Sequence, residues 1–123
     1  MKKQCIETPR ARAVSTYSPA ILAEGKRLLV ISGQTPDDVT ADSETQVRQI
    51  FARIGAILEK AGGTFDDIVM IRGYFVDMAA DLDAFRRVRV EFLRQPYPAS
   101  TLVGVSSLAV PGCRMEVEAL AIL

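Results

Sequence analysis

Glu116 and Glu118 stand two residues apart near the end of this 123-residue chain. In a strand that spacing puts both carboxylates on one face, with Arg114 beside them. One of them could serve as a general acid or base, or orient a water. Equally, the pair could be the solvated side of a strand, ion-paired with Arg114 and its neighbours. If another subunit covered that face, one carboxylate would be buried and its pKa raised. Ser32-Gly33-Gln34 ends an apolar run. The glycine lets backbone approach a ligand, and the amide offers both donor and acceptor. A plain strand-ending turn has the same composition. Tyr17, followed by Ser18-Pro19, reads as a pocket wall with a phenolic donor or as an interface aromatic. Arg72 and Tyr74 share a face of a middle strand, where an arginine needs a partner or a ligand. Arg86, Arg87 and Arg89 read as a solvated helix face.

Composition narrows what these groups can do. There is no histidine, which excludes Ser-His-Asp and Cys-His nucleophilic sites, imidazole bases and His-ligated metals. Fifteen Lys plus Arg balance fifteen Asp plus Glu, so no net field gathers nucleic acid or an anionic membrane. Eleven of the fifteen basic residues are arginine, which favours fixed, forked contacts. Tryptophan is absent and aromatics are few, so a base-stacking platform is poorly supplied. Cys5 and Cys113 are too few for a metal cluster and read as reduced thiols. Met1-Lys2-Lys3 is not followed by an apolar run and does not read as a signal peptide. No stretch approaches the roughly 20 apolar residues of a membrane span. The expected setting is the cytoplasm.

The elements that must hold these residues follow from periodicity. The chain reads as one domain over 1–123, long enough for a core of its own. Residues 1–13 form an arm or short edge strand. Val14 to Leu22, with Pro19 confining it to an edge, is expected to make a hairpin with Arg27 to Ser32 through the turn Glu24-Gly25-Lys26. Asp42-Ser43 begins a helix, with Ser43 and Gln46 fitting a capping box. Val47, Ile50, Phe51, Ile54, Ile57, Leu58 and Ala61 form its apolar stripe, and Gly62-Gly63 stops it. Asp67 to Met78 is a central strand. Asp81 or Asp83 caps a second helix that turns Leu82, Phe85, Val88, Phe92 and Leu93 inward and Arg86, Arg87 and Arg89 outward. Pro96 and Pro98 end it. Ser100 to Leu108 and Arg114 to Leu123 are two further strands. The order β-β-α-β-α-β-β gives an α+β fold: a mostly antiparallel sheet with two helices on one face. Apolar residues occur on both strand parities (Leu28, Val30, Val69, Ile71, Leu102, Val103, Val105, Met115 and Val117), so the face without helices needs cover, most simply from another subunit.

Taken together, these segments resemble the RidA/YjgF family. The resemblance rests on Tyr17-Ser18-Pro19-Ala20, Ser32-Gly33-Gln34-Thr35-Pro36, the helix ending Glu59-Lys60-Ala61-Gly62-Gly63, Asp67-Ile68-Val69, Phe75-Val76-Asp77-Met78, Phe85, Pro98-Ala99-Ser100-Thr101 and Glu116-Val117-Glu118-Ala119, in order over nearly the whole chain. It implies a chorismate-mutase-like fold assembled as a homotrimer, with small-molecule ligands in clefts between subunits. It also implies hydrolysis of enamines or imines such as 2-aminoacrylate, without metal or organic cofactor. Tyr17 matches the cleft tyrosine, Ser32, Gly33 and Gln34 the strand-end motif, and Glu116 the water-positioning carboxylate. The family's older endoribonuclease label sits poorly with a neutral, histidine-free chain that has few aromatics.

One position departs from the pattern. Active members carry an arginine after Pro-Ala to hold the substrate carboxylate, and this chain has Ser100, followed by Thr101. Losing one partner of a buried charged contact costs about 2–4 kcal/mol, or tens- to hundreds-fold in efficiency. Three readings follow: an imine or C–N hydrolase with a substrate other than 2-aminoacrylate, bound by Ser100 and Thr101; a non-catalytic metabolite-binding trimer acting as sensor or regulatory module; or a carboxylate enzyme whose arginine comes from elsewhere, with Arg72 or Arg114 as candidates.

Overall fold

A computed structural model describes residues 1–123. In chain order it contains β1 (Lys2–Cys5), β2 (Ile21–Glu24), β3 (Leu28–Gln34), α1 (Ser43–Ala61), β4 (Ile68–Phe75), α2 (Met78–Arg89), β5 (Ala99–Gly104) and β6 (Met115–Ile122). A single 3-10 turn at Phe65–Asp67 leads into β4. The main sheet runs β3-β6-β4-β5, with β6 antiparallel to both neighbours and β5 parallel to β4. A parallel pair needs a long crossover, and α2 supplies it. The α+β architecture is therefore as the sequence predicts, with one short strand more.

The expected hairpin between residues 14–22 and 27–32 does not form. β2 pairs instead with β1, Lys2 opposite Glu24 and Cys5 opposite Ile21. The Lys26 and Arg27 amides both donate to the Leu123 carbonyl, at 2.9 and 3.0 Å, which pins the start of β3 to the end of β6. Ile31 then lies opposite Ala119.

Helix α1 is capped by Asp42, whose Oδ1 accepts from the Thr45 amide at 2.8 Å. The expected Ser43–Gln46 capping box is absent, because Gln46 is fully buried and donates to the Val39 and Ala41 carbonyls. Gly62, at φ 88°, closes the helix in the left-handed conformation. Helix α2 begins a turn earlier than expected, capped by Asp77 rather than Asp81 or Asp83. Asp81 is inside the helix and fully buried, accepting from Ser43 Oγ at 2.6 Å and Arg114 Nη2 at 2.7 Å. Asp81, Phe85 and Arg89 are four residues apart and so share one stripe. Arg89, expected to face solvent with Arg86 and Arg87, is consequently only 2% exposed.

Both helices cover the same face of the sheet. Ile31, Ile71, Phe75, Met115 and Val117 meet Val47, Ile50, Ile54, Phe85 and Val88 in one core. Phe51 is its hub, its ring 5.1 Å from Phe92, 6.0 Å from Phe85 and 6.3 Å from Phe65. On the other face Leu28 and Val30 are 62% and 67% exposed. No helix is long and apolar enough to cross a membrane. Truncating the hub leaves a cavity between both helices, so Phe51→Ala is expected to lower the unfolding free energy by about 3–5 kcal/mol in denaturant titration.

Candidate functional site

Most of the expected site residues fall into two groups, one where edge strand β3 meets the inner strand β6 and one at the opposite edge strand, β5. The first lies where β3 leaves β6. Ile31 opposes Ala119 and Gln34 opposes Val117, so β3 carries one residue more than its partner across this stretch. Such a bulge re-aims what lies on it. Gly33 falls in it directly beneath Glu116: a Cβ there would stand 2.6 Å from the carboxyl carbon and 2.8 Å from Oε1. Any larger residue at 33 would push the Glu116 side chain out of this position. Gln34 borders the same place, its Nε2 donating to the Ser32 carbonyl at 2.9 Å.

The structure separates the two carboxylates that the sequence leaves equivalent. Glu118 is engaged, accepting from Tyr74 Oη at 2.6 Å with Arg72 Nη1 at 3.6 Å. Donation to Glu118 favours the neutral phenol and raises the Tyr74 pKa above its ordinary value, with the Arg72 charge pulling the other way. Glu116 is half-buried and takes part in none of the ion pairs. A carboxylate lying over a glycine backbone, with its lone pairs uncommitted, is suited to accept a proton from water.

The second group lies on the outer edge of β5. Ser18 bridges to Ala99, its amide donates to the Pro98 carbonyl at 3.1 Å and its hydroxyl to the Tyr97 carbonyl. These contacts set Tyr17 on the wall of a cleft of about 410 Å³, shared with Glu7, Ser15, Gln95 and Tyr97. Ser100 pairs with the buried Ile71 and so faces the helices, whereas Thr101 pairs with Arg72 and faces the open side. Ser100 Oγ accepts a hydrogen bond from Arg89 Nη1 at 3.3 Å. Arg89, expected to face solvent, is instead a buried neighbour of Ser100, and its position four residues after Phe85 was the available signal.

Neither arginine nominated from sequence bonds to Ser100. Arg72 lies beside Glu118 on the open face, and Arg114 turns to Asp81 and Ser43. The two groups are also far apart within one chain. β3, which carries Gly33, is three strand spacings from β5, about 14 Å, and β6, which carries Glu116, is two, about 10 Å. Glu116 and Ser100 point to opposite faces.

The Tyr74–Glu118 bond makes a pH-dependent contribution. Because the folded state favours the neutral phenol, the stabilisation is present at neutral pH and is lost as pH rises through the raised pKa, above the ordinary value of about 10. Ultraviolet difference titration against Tyr74→Phe is expected to show Tyr74 ionising late, and Glu118→Gln to bring that ionisation to lower pH.

The family model described as Endoribonuclease L-PSP matches residues 7–123. A RutC family protein of Pyrococcus horikoshii is 35% identical, with 97% of each chain covered. A protein of Dermatophagoides farinae named 2-iminobutanoate/2-iminopropanoate deaminase is 29% identical over 98% of this chain and 97% of its own. The crystal structure of YyfB from Yersinia pestis, described as a protein of unknown function of the conserved Rid family, superposes with a TM-score of 0.86 at 28% identity over the whole of both chains. The fold, the strand-end glycine beneath a carboxylate and these likenesses agree: the chain belongs to the Rid/YjgF family, whose model bears the description Endoribonuclease L-PSP.

Proposed function

We propose that this chain is the subunit of a homotrimer that hydrolyses the imine or enamine C–N bond of a small reactive metabolite, without metal or organic cofactor, in clefts between subunits. The observation that carries the reading is Glu116: an uncommitted carboxylate over Gly33, beside a second carboxylate whose partners are already supplied. A relative of matching length named as an imine deaminase supports the same chemistry. In the proposed reaction Glu116 accepts a proton from water as its oxygen adds to the C=N carbon. The nitrogen takes up a proton, the carbinolamine collapses, and a carbonyl and ammonia leave. An enamine first takes a proton on carbon to become the imine. The substrate differs from 2-aminoacrylate in how it is held, since Ser100 stands where active relatives carry an arginine.

Two features support assembly. Leu28 and Val30 lie on a face that no helix covers, and the β3 and β5 edges, at opposite ends of the sheet order, would meet if they came from different copies. The expected setting is the cytoplasm, and neither nucleic acid nor membrane is an expected partner.

Ammonia release from freshly generated 2-iminopropanoate and from imines bearing other side groups tests the reading. Glu116→Gln is expected to lower turnover by about 100-fold or more, and Gly33→Ala to lower it as well by displacing the carboxylate. Turnover unaffected by Glu116→Gln contradicts the assigned role. Saturable metabolite binding with no turnover on any imine makes the protein a binding module instead. Light scattering is expected to give a trimer, and Val30→Asp a smaller species.

A further inference from the structure

β1 and β2 form a two-stranded sheet of their own, outside the main sheet. A ribbon that short is marginal without support from the body. β2 has that support at both ends. Just before it the Ser18 amide donates to the Pro98 carbonyl, and just after it the Lys26 and Arg27 amides donate to the Leu123 carbonyl. β1 and the loop that follows it are tied down far less. The bonds of residues 7–13 run among themselves: Thr8 and Ala11 exchange amide bonds, and Glu7 holds the Ala13 amide and Arg12. Apart from the ladder with β2, which Ile6 extends to Ala20, the polar tie to the body is Lys3, whose Nζ donates to the Ile68 carbonyl at 3.1 Å.

That tie has no counterion. Lys3 is half-buried, and burial lowers its pKa against the opposing charges of Asp66 and Asp67. Those carboxylates are committed elsewhere, Asp66 to Arg94 and Asp67 to the Thr64 amide. An ammonium desolvated against one neutral carbonyl gains little net stability. There is also room on either side of the strand. Lys3 lines a cavity of about 480 Å³, and Cys5, two residues on, lines the cleft of about 410 Å³ that Tyr17 shares. Gln95 and Pro96 border both.

We propose that β1 with residues 6–13 is a flap on the Tyr17 cleft, pivoting on β2 and latched by Lys3. Closed, the flap supplies Cys5 and Glu7 to the cleft wall and separates the two cavities. Open, it joins them into one groove along Gln95 and Pro96, through which a ligand enters. Rotation about β2 keeps the ribbon's own ladder and the loop's internal bonds, and breaks one hydrogen bond to the body. Two states that differ by so little can interconvert without unfolding of the core. The flap belongs to this cleft alone and holds whether or not the chain turns over an imine.

Alkylation of Cys5 in the whole protein tests it, with Cys113 as internal reference because that thiol is 5% exposed and bonded to the Met115 carbonyl. Iodoacetamide is small enough for the closed cleft, whereas iodoacetamidofluorescein needs the flap lifted; each rate is divided by that of free glutathione. The wild type is expected to favour the small reagent. Lys3→Met is expected to raise the bulky reagent's rate at Cys5 by about 10-fold, the effect of losing one hydrogen bond from a charged donor, with Cys113 and the denaturant midpoint unchanged. Lys3→Arg keeps a donor and is expected to stay near the wild type. A bulky-reagent rate unmoved by Lys3→Met overturns the inference, as does a wild type that reacts equally with both reagents. An acceleration shared by Cys113 also overturns it, since that reports unfolding of the core and not a flap.

Discussion

A sheet built with apolar residues on both faces can be covered by its own two helices on only one. Leu28 and Val30 stay largely in contact with solvent, and Met70, Leu120 and Ile122 lie among them on the same side. Fully burying a side chain of that kind stabilises by about 1.5–3 kcal/mol, so several together favour association of copies. The same face carries Glu116, Glu118, Arg72 and Tyr74, so the proposed chemistry sits in the surface that association would cover. Such an assembly would shield Glu116 from bulk solvent while leaving room for the water that reacts, without a lid or a moving domain.

The buried polar contacts act on the placement of α2. Asp81, held by Ser43 from α1 and Arg114 from the strand end, fixes how that helix is rolled on the sheet. Phe85 lies one turn on, packed edge-on against Phe75 with ring centres 5.3 Å apart. Arg89 follows after a further turn and arrives behind Ser100. One polar clip therefore determines which helix residue stands beneath the strand edge. Removing Asp81 would leave Arg114 unpaired and would also loosen the registration of Arg89.

Much of this was legible in the sequence, where local signals were strong. The stripe from Val47 to Leu58 and the Gly62 stop define α1, because a long amphipathic period has few alternative structures. The β-branched runs identify three of the main strands, and two-sided apolarity marks the uncovered face. Tertiary pairing was less legible. Nothing local says that β2 pairs with β1 while β3 pairs with β6, whose end is joined to Lys26 and Arg27 through the Leu123 carbonyl. Glu116 and Glu118 are indistinguishable by spacing, and only the bulge at Gly33 and the position of Tyr74 separate them. Arg89 was misread because an arginine triplet looks like a solvated face, although its spacing from Phe85 places it on the buried stripe.

The central claim is that the carboxylate edge and the Ser100 edge make one site only across two subunits. Mixing two inactive variants tests it most directly: Glu116→Gln subunits with subunits carrying Tyr17→Ala and Ser100→Ala, unfolded together and refolded at equal proportions. In a closed ring each cleft draws one edge from each neighbour, so about a quarter of the clefts should be wild type and activity should return to that level. Activity no greater than the sum of the two variants refolded separately would contradict the account.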